Sequence, residues 1–306
     1  MKRKIAGIQK STTYFPNISG INGWLKNQFL CFLTLLRIII LGYPFQAIKC
    51  EGLSLLTYIL IYPITRFTLG RERSYAMCES FLITRCTSKF LPLPPPLKSK
   101  IWVPLGKLNY GPYLEIYNRD VYRTKMISAG MNIIDVGAHI GFYTILAAEK
   151  VGKKGKVIAI EPELKNYEQL LSNIRLNNFQ NVIPKRLALA NYKGSSKLYI
   201  SPLSMAHSLY KRDGEIYLKA SKVLVNTIDN LLKELALKKI DVLKIDAEGA
   251  EMSILKGADR TLKDNPNMKI IIASYHYPSE IKEVYQFLNE RGFKTKVFPG
   301  GIVMTI

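Results

Sequence analysis

Hydrophobic residues in the last two thirds of the chain fall into short runs separated by helical patterns. Ile133 to Val136 is one such run, of the kind that a parallel strand buried on both faces requires. Gly137-Ala-His-Ile-Gly141 turns the chain, Phe142 to Lys150 repeats with helical spacing, and Gly152 and Gly155 interrupt that spacing. Val157 to Ile160 is a second buried run. Strand, turn, helix and strand together predict a βαβ unit.

The pattern continues to the end of the chain. Glu163 to Asn177 reads as a helix with Tyr167, Leu170, Leu171 and Ile174 on its apolar face. Val182 and Ile183 start a third strand. Lys197 to Ile200 and Val223 to Val225 read as strands flanking a loop of about twenty residues, long enough to carry function; it holds Ser204, His207, Ser208, Lys211 and Arg212 and is expected to cap the substrate. Thr227 is placed to cap a helix from Ile228 to Leu237. Ile240 to Ile245 is a fourth core strand, Glu248 to Lys256 a short helix closed by Gly257, and Lys269 to Ala273 a fifth strand. Ser279 is expected to cap a helix from Glu280 to Arg291, and Lys294 to Phe298 with Ile302 to Ile306 make a hairpin around Gly300-Gly301. Upstream, Ile101 to Leu108 and Tyr113 to Tyr117 alternate like a hairpin turning at Gly111-Pro112, and Val121 to Ser128 looks helical. The expected fold class is α/β: a mostly parallel, doubly wound sheet with an antiparallel C-terminal hairpin, preceded by a helical N-terminal region.

That N-terminal region has a different texture. Residues 29–48 are strongly apolar, and a second apolar segment runs from Leu53 to Ile64. A helix needs about 20 apolar residues to span a bilayer. Arg37 interrupts the first segment, Gly42 and Pro44 close it early, and the second is too short. Two arrangements stay open: a small packed helical subdomain, or helices lying on an anionic membrane surface. Arg71 to Ser88 reads as a further helix, and Phe90-Leu-Pro-Leu-Pro-Pro-Pro96 as a stiff extended linker. The linker divides the chain into a basic helical region, residues 1–96, and an α/β domain, residues 97–306.

At 306 residues the chain has ample material for a core. Its formal net charge of +21 and isoelectric point near 9.7 draw acidic partners: nucleic acid, an anionic membrane or a negatively charged substrate. The skew is strongest in the first 130 residues, with about 18 Lys and Arg against about 5 acids. All 4 cysteines lie in the N-terminal third without a Cys-x-x-Cys pair, and the 3 histidines are scattered. No metal ligand set is therefore expected, and reduced thiols fit a cytoplasmic protein, at most peripheral to the inner membrane face. The apolar stretch begins too far from Met1, and lacks the small-residue cleavage site, for a secretory signal.

The glycine turn carries the chemistry. Its two glycines let backbone N–H groups approach a ligand. Glu161, at the end of the second strand, can accept hydrogen bonds from both hydroxyls of an adenosine ribose. The spacing is Asp135-x-Gly137-x-x-x-Gly141, not the Gly-x-Gly-x-x-Gly of a dinucleotide site. A carboxylate two residues before the first glycine suits a cationic ligand, and S-adenosylmethionine is such a ligand without phosphate. Its adenine is expected near Ala188. Lys244 and Asp246 lie two apart on a strand and so share a side, with Glu248 at the following turn. His276 follows the fifth strand and is an acid/base candidate, with His207 a weaker one.

The segments Ile134-Asp-Val-Gly-Ala-His-Ile-Gly-Phe-Tyr143, Ile160-Glu-Pro162 and Leu243-Lys-Ile-Asp-Ala-Glu-Gly-Ala-Glu251 resemble the FkbM family of methyltransferases, over about residues 110–306. The resemblance implies a Rossmann-like class I methyltransferase fold and O-methylation with S-adenosylmethionine as cofactor. It implies cofactor positions at Asp135, Gly137, Ala138, His139, Gly141, Glu161 and Pro162, with His139 acting through its backbone. It places Asp246 and Glu248 near the acceptor, joined as catalytic candidates by Lys244 and His276. Family members often carry Glu two residues before that histidine; this chain has Ser274. Family acceptors are often hydroxyls on sugars, glycolipids or polyketides, so a small-molecule or glycan acceptor is the expected partner, with an anionic membrane as a second.

Three rival readings differ in kind. A nucleic-acid methyltransferase would use the positive charge, but no Asn-Pro-Pro-Tyr-type motif or RNA-binding module is present, so no specific nucleic acid is expected. A non-catalytic membrane adaptor could keep the fold, which the intact Asp135, Gly137, Glu161 and Asp246 argue against. An oxidoreductase is disfavoured by the glycine spacing.

Overall fold

The computed structural model describes residues 89–93, 96–103, 110–212 and 214–306. The apolar segments 29–48 and 53–64 and the helix expected over 71–88 lie outside the described residues, and with them the N-terminal membrane contact. Among the described residues no helix is long and apolar enough to cross a membrane. Residues 92–101 and 110–306 fall within one compact unit.

Two short strands come first, β1 (Lys89–Pro92) and β2 (Lys100–Val103). β3 (Asn132–Val136), β4 (Lys156–Ile160) and β5 (Val182–Lys185) follow. Next come β6 (Ala188–Leu189), β7 (Gly194–Ile200) and β8 (Lys219–Asn226). β9 (Val242–Ile245), β10 (Lys269–Ala273), β11 (Thr295–Phe298) and β12 (Ile302–Thr305) complete the set. The main sheet has 7 strands in the order β11-β12-β10-β9-β3-β4-β5. Its pairs from β10 to β5 are parallel, and β12 joins β10 and β11 antiparallel. The short apolar runs explain the parallel part. Ile133, Ile134, Val157, Ile158, Leu243, Ile245, Ile270 and Ile272 are fully buried, as strands covered on both faces demand.

The helices are α1 (Tyr110–Tyr113), α2 (Phe142–Val151), α3 (Leu164–Leu176), α4 (Ile228–Glu234), α5 (Glu251–Lys256), α6 (Asp259–Asp264) and α7 (Glu280–Glu290). The chain builds β3, β4 and β5 outward in one direction, then returns to place β9 on the other side of β3. The strand order reverses between β3 and β9, and the crevice at such a reversal is where open α/β sheets bind ligands.

Several elements depart from the sequence reading. Tyr110 to Asn118 is helical, not the second half of a hairpin: α1 runs into a π-helix, Leu114–Asn118. Pro112 sits where a first helical turn tolerates proline, and Tyr113 and Tyr117 meet edge to face one turn apart, 4.9 Å between centroids. Residues 121–128 hold only a 3-10 turn at Thr124–Met126. The expected linker begins as β1, since an extended proline-rich segment can pair at a sheet edge. The strands flanking the long loop form a separate 3-stranded sheet, β6-β8-β7. Glu248 precedes α5 in a left-handed turn, φ +54°, instead of opening the helix. Thr227 caps α4 as expected, accepting from the Asn230 N–H at 3.0 Å, but Ser279 makes no side-chain cap on α7. α6 is absent from the sequence reading because its cap is remote: Asp229 accepts the Arg260 and Thr261 N–H groups at 2.9 and 2.8 Å.

Candidate active site

The carboxyl ends of four neighbouring strands, β10, β9, β3 and β4, bring the functional side chains to one edge of the sheet. At β3 the turn folds tightly. Gly137 and Gly141 have φ of +74° and +101°, and His139 between them is also left-handed at +52°. A Cβ at Gly137 would overlap the Asp246 carbonyl oxygen, so glycine there is required by close approach as well as by φ.

Four of the turn's N–H groups are committed within the chain. Those of Gly137 and Ala138 donate to Ile160 O at 3.1 and 2.9 Å, and that of Gly141 to Ala138 O at 2.9 Å. The His139 N–H donates to Glu161 Oε2 at 2.8 Å. This corrects the expectation that the turn offers N–H groups to a ligand.

Glu161 ends β4 and is 4% exposed. Its Oε2 holds His139 and its Oε1 accepts the Glu163 N–H at 3.0 Å. Asn166 also donates to this carboxylate, which with two lone pairs on each oxygen still has acceptor capacity for a ligand hydroxyl. Burial pushes the carboxyl up from 4.5 to about 7, against the lowering effect of the Glu163 and His139 N–H groups. Pro162, half-buried, follows directly. Ala188 is buried in β6, paired in register with Val225, and so belongs to the small sheet beyond β5 and not to the end of the third core strand.

Asp135 and Lys244 are assigned differently by the structure. They are register partners across β3 and β9. Their side chains are 0% and 4% exposed and meet at 3.0 Å. Asp135 Oδ2 also accepts from Thr144 at 2.6 Å. Lys244 Nζ donates to the Val136 and Gly137 carbonyls at 3.2 and 3.0 Å. The pair lies beneath the glycine turn and braces it. Asp135 is thereby held by Lys244 and the Thr144 hydroxyl, and Lys244 by Asp135 and two backbone carbonyls, which makes both positioning residues of the turn.

Beyond β9 stands an acid cluster. Asp246 Oδ2 accepts from the buried Tyr122 hydroxyl at 2.7 Å. Glu248 Oε2 pairs with Arg212 at 2.9 Å. Burial raises the Glu248 carboxyl to about 7, with His276 and Arg212 opposing and Asp246 adding to the rise. Glu251 opens α5, and its Oε1 accepts the Ala247 N–H at 2.7 Å and closes the turn. Glu280, fully buried, accepts the His276 N–H at 2.7 Å. Burial lifts its carboxyl to about 8.

His276 sits among these acids. Burial works against its charge, yet the carboxylates of Glu251 and Glu248 outweigh that and hold the imidazole well above 6.5. The ring is enclosed by four carboxylates with 1% of its side chain exposed, a setting that its place after the fifth strand did not disclose. His207 accepts the Ser201 N–H through Nδ1 at 3.1 Å, shaping its own loop.

Residues missed in the sequence complete the site. Glu115, on the π-helix, is raised to about 7 by burial and then by the charge of Asp246. Tyr122 orients Asp246. The loop between β7 and β8, expected to cover the site, touches both halves of it. Ser204 Oγ meets His139 Nε2 at 3.0 Å, and the Ser204 carbonyl accepts from Asn166 at 2.8 Å. Ser208 donates to the Glu248 carbonyl at 2.6 Å, and Arg212 reaches the Glu248 carboxylate.

A doubly wound sheet with a glycine turn, a strand-end glutamate and an adjoining acid cluster defines the class I methyltransferase architecture. The Methyltransferase FkbM domain matches residues 135–295, and the chain belongs to the FkbM methyltransferase family. The hexuronic acid methyltransferase AglP of Haloferax volcanii is 27% identical over 165 residues, 53% of this chain and 63% of AglP. The chain thus spans less than two thirds of that relative. The methyltransferase sdnD of Sordaria araneosa is 24% identical over 211 residues, 59% of this chain and 80% of sdnD. The crystal structure of a methyltransferase FkbM from Methylobacillus flagellatus KT aligns over 92% of this chain and 59% of its own, at 15% identity and a TM-score of 0.45.

Proposed function

We propose that this methyltransferase uses S-adenosylmethionine to methylate a hydroxyl of a sugar or glycolipid, preferentially an acidic one. The observation that carries the reading is the alignment of Glu161, the glycine turn and Asp246 on neighbouring strand ends at the topological switch. The residues fit the cofactor. Glu161 keeps acceptor capacity for a ribose diol, and surrounding carboxylates favour a cation. When bound, S-adenosylmethionine supplies an electrophilic methyl group on a positively charged sulfur.

The chain's own groups do the rest. Asp246, steadied by Tyr122, accepts the proton of the acceptor hydroxyl through its second oxygen. Glu248 is aimed by its strained turn and by Arg212. The β7–β8 loop, tied to His139 and Glu248, keeps water from the reacting atoms. The acceptor class is supported by the relative AglP, a hexuronic acid methyltransferase, and by the +21 charge, which attracts an anionic acceptor. Contact of residues 1–96 with an anionic membrane would bring a glycolipid acceptor to the site.

Asp246→Asn is the test. The variant keeps the Tyr122 hydrogen bond and the charge-free shape. Turnover on acidic oligosaccharide or glycolipid extracts is expected to fall by roughly 10²- to 10⁴-fold, with cofactor affinity changed far less. Mass spectrometry of the product should show a methyl ether. A methylated nitrogen or carbon, or full turnover in the variant, contradicts the proposal.

A further inference from the structure

The His276 side chain is 1% exposed, yet its Nε2 makes no hydrogen bond among the described residues. Nδ1 faces Glu251 Oε1 at 3.4 Å and Glu280 Oε2 at 3.3 Å. Both oxygens already accept backbone N–H groups, so this inner pair aims the ring. Nε2 points the other way, to Asp246 Oδ1 and Glu248 Oε2, each at 3.7 Å. Asp246 Oδ1 is itself buried and lacks a hydrogen-bond partner.

A nitrogen-to-oxygen hydrogen bond closes to about 2.7–3.2 Å, so 3.7 Å is too wide for one. Two ligand atoms, each roughly 2.1 Å from a shared ion, lie roughly 3.0 Å apart at octahedral angles and roughly 3.4 Å apart at tetrahedral ones, so well under 1 Å of closure brings the ring and either carboxylate onto one ion. The three donor atoms lie within 4.8 Å of one another. Two orphaned, buried donors and a third on a strained turn thus converge on one point, and the carboxylates behind the ring supply the outer hydrogen-bonding layer that ligating histidines have.

We propose that Asp246, Glu248 and His276 hold a divalent cation of the Mn²⁺ type, which accepts one imidazole and two carboxylates. The scattered histidines hid this set from the sequence; the β9 and β10 ends join it. Three protein ligands leave coordination positions open for an acceptor oxygen; a bound cation would acidify that hydroxyl in place of the proton acceptance given above to the free Asp246 Oδ1, a use that rests on the methyl-transfer reading. An anionic acceptor facing Asp246, Glu248, Glu251 and Glu280 would otherwise meet like charge. Arg212 pairs with the same Glu248 oxygen, and Glu215, 3.9 Å from Arg212, offers that guanidinium another partner when a cation arrives.

The experiment titrates the metal-stripped full chain with Mn²⁺ and follows the paramagnetic resonance signal of the free ion. One saturable Mn²⁺ per chain is expected, with affinity at least tenfold weaker in Asp246→Asn and in Glu248→Gln and unchanged in the surface variant Asp259→Asn. No saturable uptake by the parent chain, or equal affinity in all variants, overturns the proposal. A second readout needs no folded variant. In the proton spectrum of the 3 histidines, substoichiometric Mn²⁺ should broaden the His276 ring first, and an unbroadened His276 overturns the site. Cofactor affinity is titrated separately on the same samples, so failure of the metal site and failure of the methyl-transfer reading are read apart.

Discussion

Glu161→Gln is expected to weaken S-adenosylmethionine binding about 100-fold, measured by calorimetry on the folded chain. The carboxylate is asked to accept two ribose hydroxyls while holding the His139 and Glu163 N–H groups. Hydrogen bonds to a charged acceptor contribute about 1.5–3 kcal/mol each, and the amide both halves that capacity and turns N–H toward N–H. About 3 kcal/mol lost corresponds to about 100-fold in Kd. The parent chain adds a pH signature. Burial holds Glu161 at about 7, so it is ionised above that pH and protonated below it. Affinity should be flat above pH 7 and fall by up to about tenfold per unit below it. The stability effect runs the other way. The folded value is raised from 4.5, so Glu161 is least costly to bury below pH 4.5, and its contribution erodes as pH rises to about 7. An affinity that Glu161→Gln leaves unchanged would remove Glu161 from the cofactor site.

Lys244→Met should produce the largest loss of stability. The substitution leaves Asp135 buried without its counter-charge and releases the Val136 and Gly137 carbonyls. Breaking one partner of a buried pair costs about 3–5 kcal/mol. Spread over a domain of this size, that lowers the melting temperature by roughly 6–20 °C. The double variant Lys244→Met with Asp135→Leu should recover much of the loss, because the penalty is the stranded charge and not the missing bond. A melting temperature within a degree of the parent in Lys244→Met would show that the pair does not brace the turn.

What the sequence disclosed follows from how local each signal is. The β3–turn–α2–β4 unit was legible because its cause lies within thirty residues: two buried apolar runs, two glycines and a strand-end acid. The antiparallel hairpin at Gly300-Gly301 was legible for the same reason. Lys244 misled because strand alternation shows only that it shares a side with Asp246. It cannot show that Asp135 stands opposite on the neighbouring strand. His276 misled more, since the Asp246, Glu248, Glu251 and Glu280 carboxylates that surround it come from the turn after β9, from α5 and from α7. Glu115 was hidden because Gly111-Pro112 reads as a turn, whereas the tyrosines at 113 and 117 favour a helix. α6 depends on a cap from Asp229, which no local window contains.

The central claim is that the ends of β4, β3, β9 and β10 form one methyl-transfer site. A crystal structure of the chain with S-adenosylhomocysteine tests it most directly. The ribose hydroxyls should lie on the Glu161 carboxylate, with the sulfur directed past the Gly137 turn toward Asp246. A nucleoside bound elsewhere on the sheet, or a sulfur facing away from the Asp246 side, would contradict it.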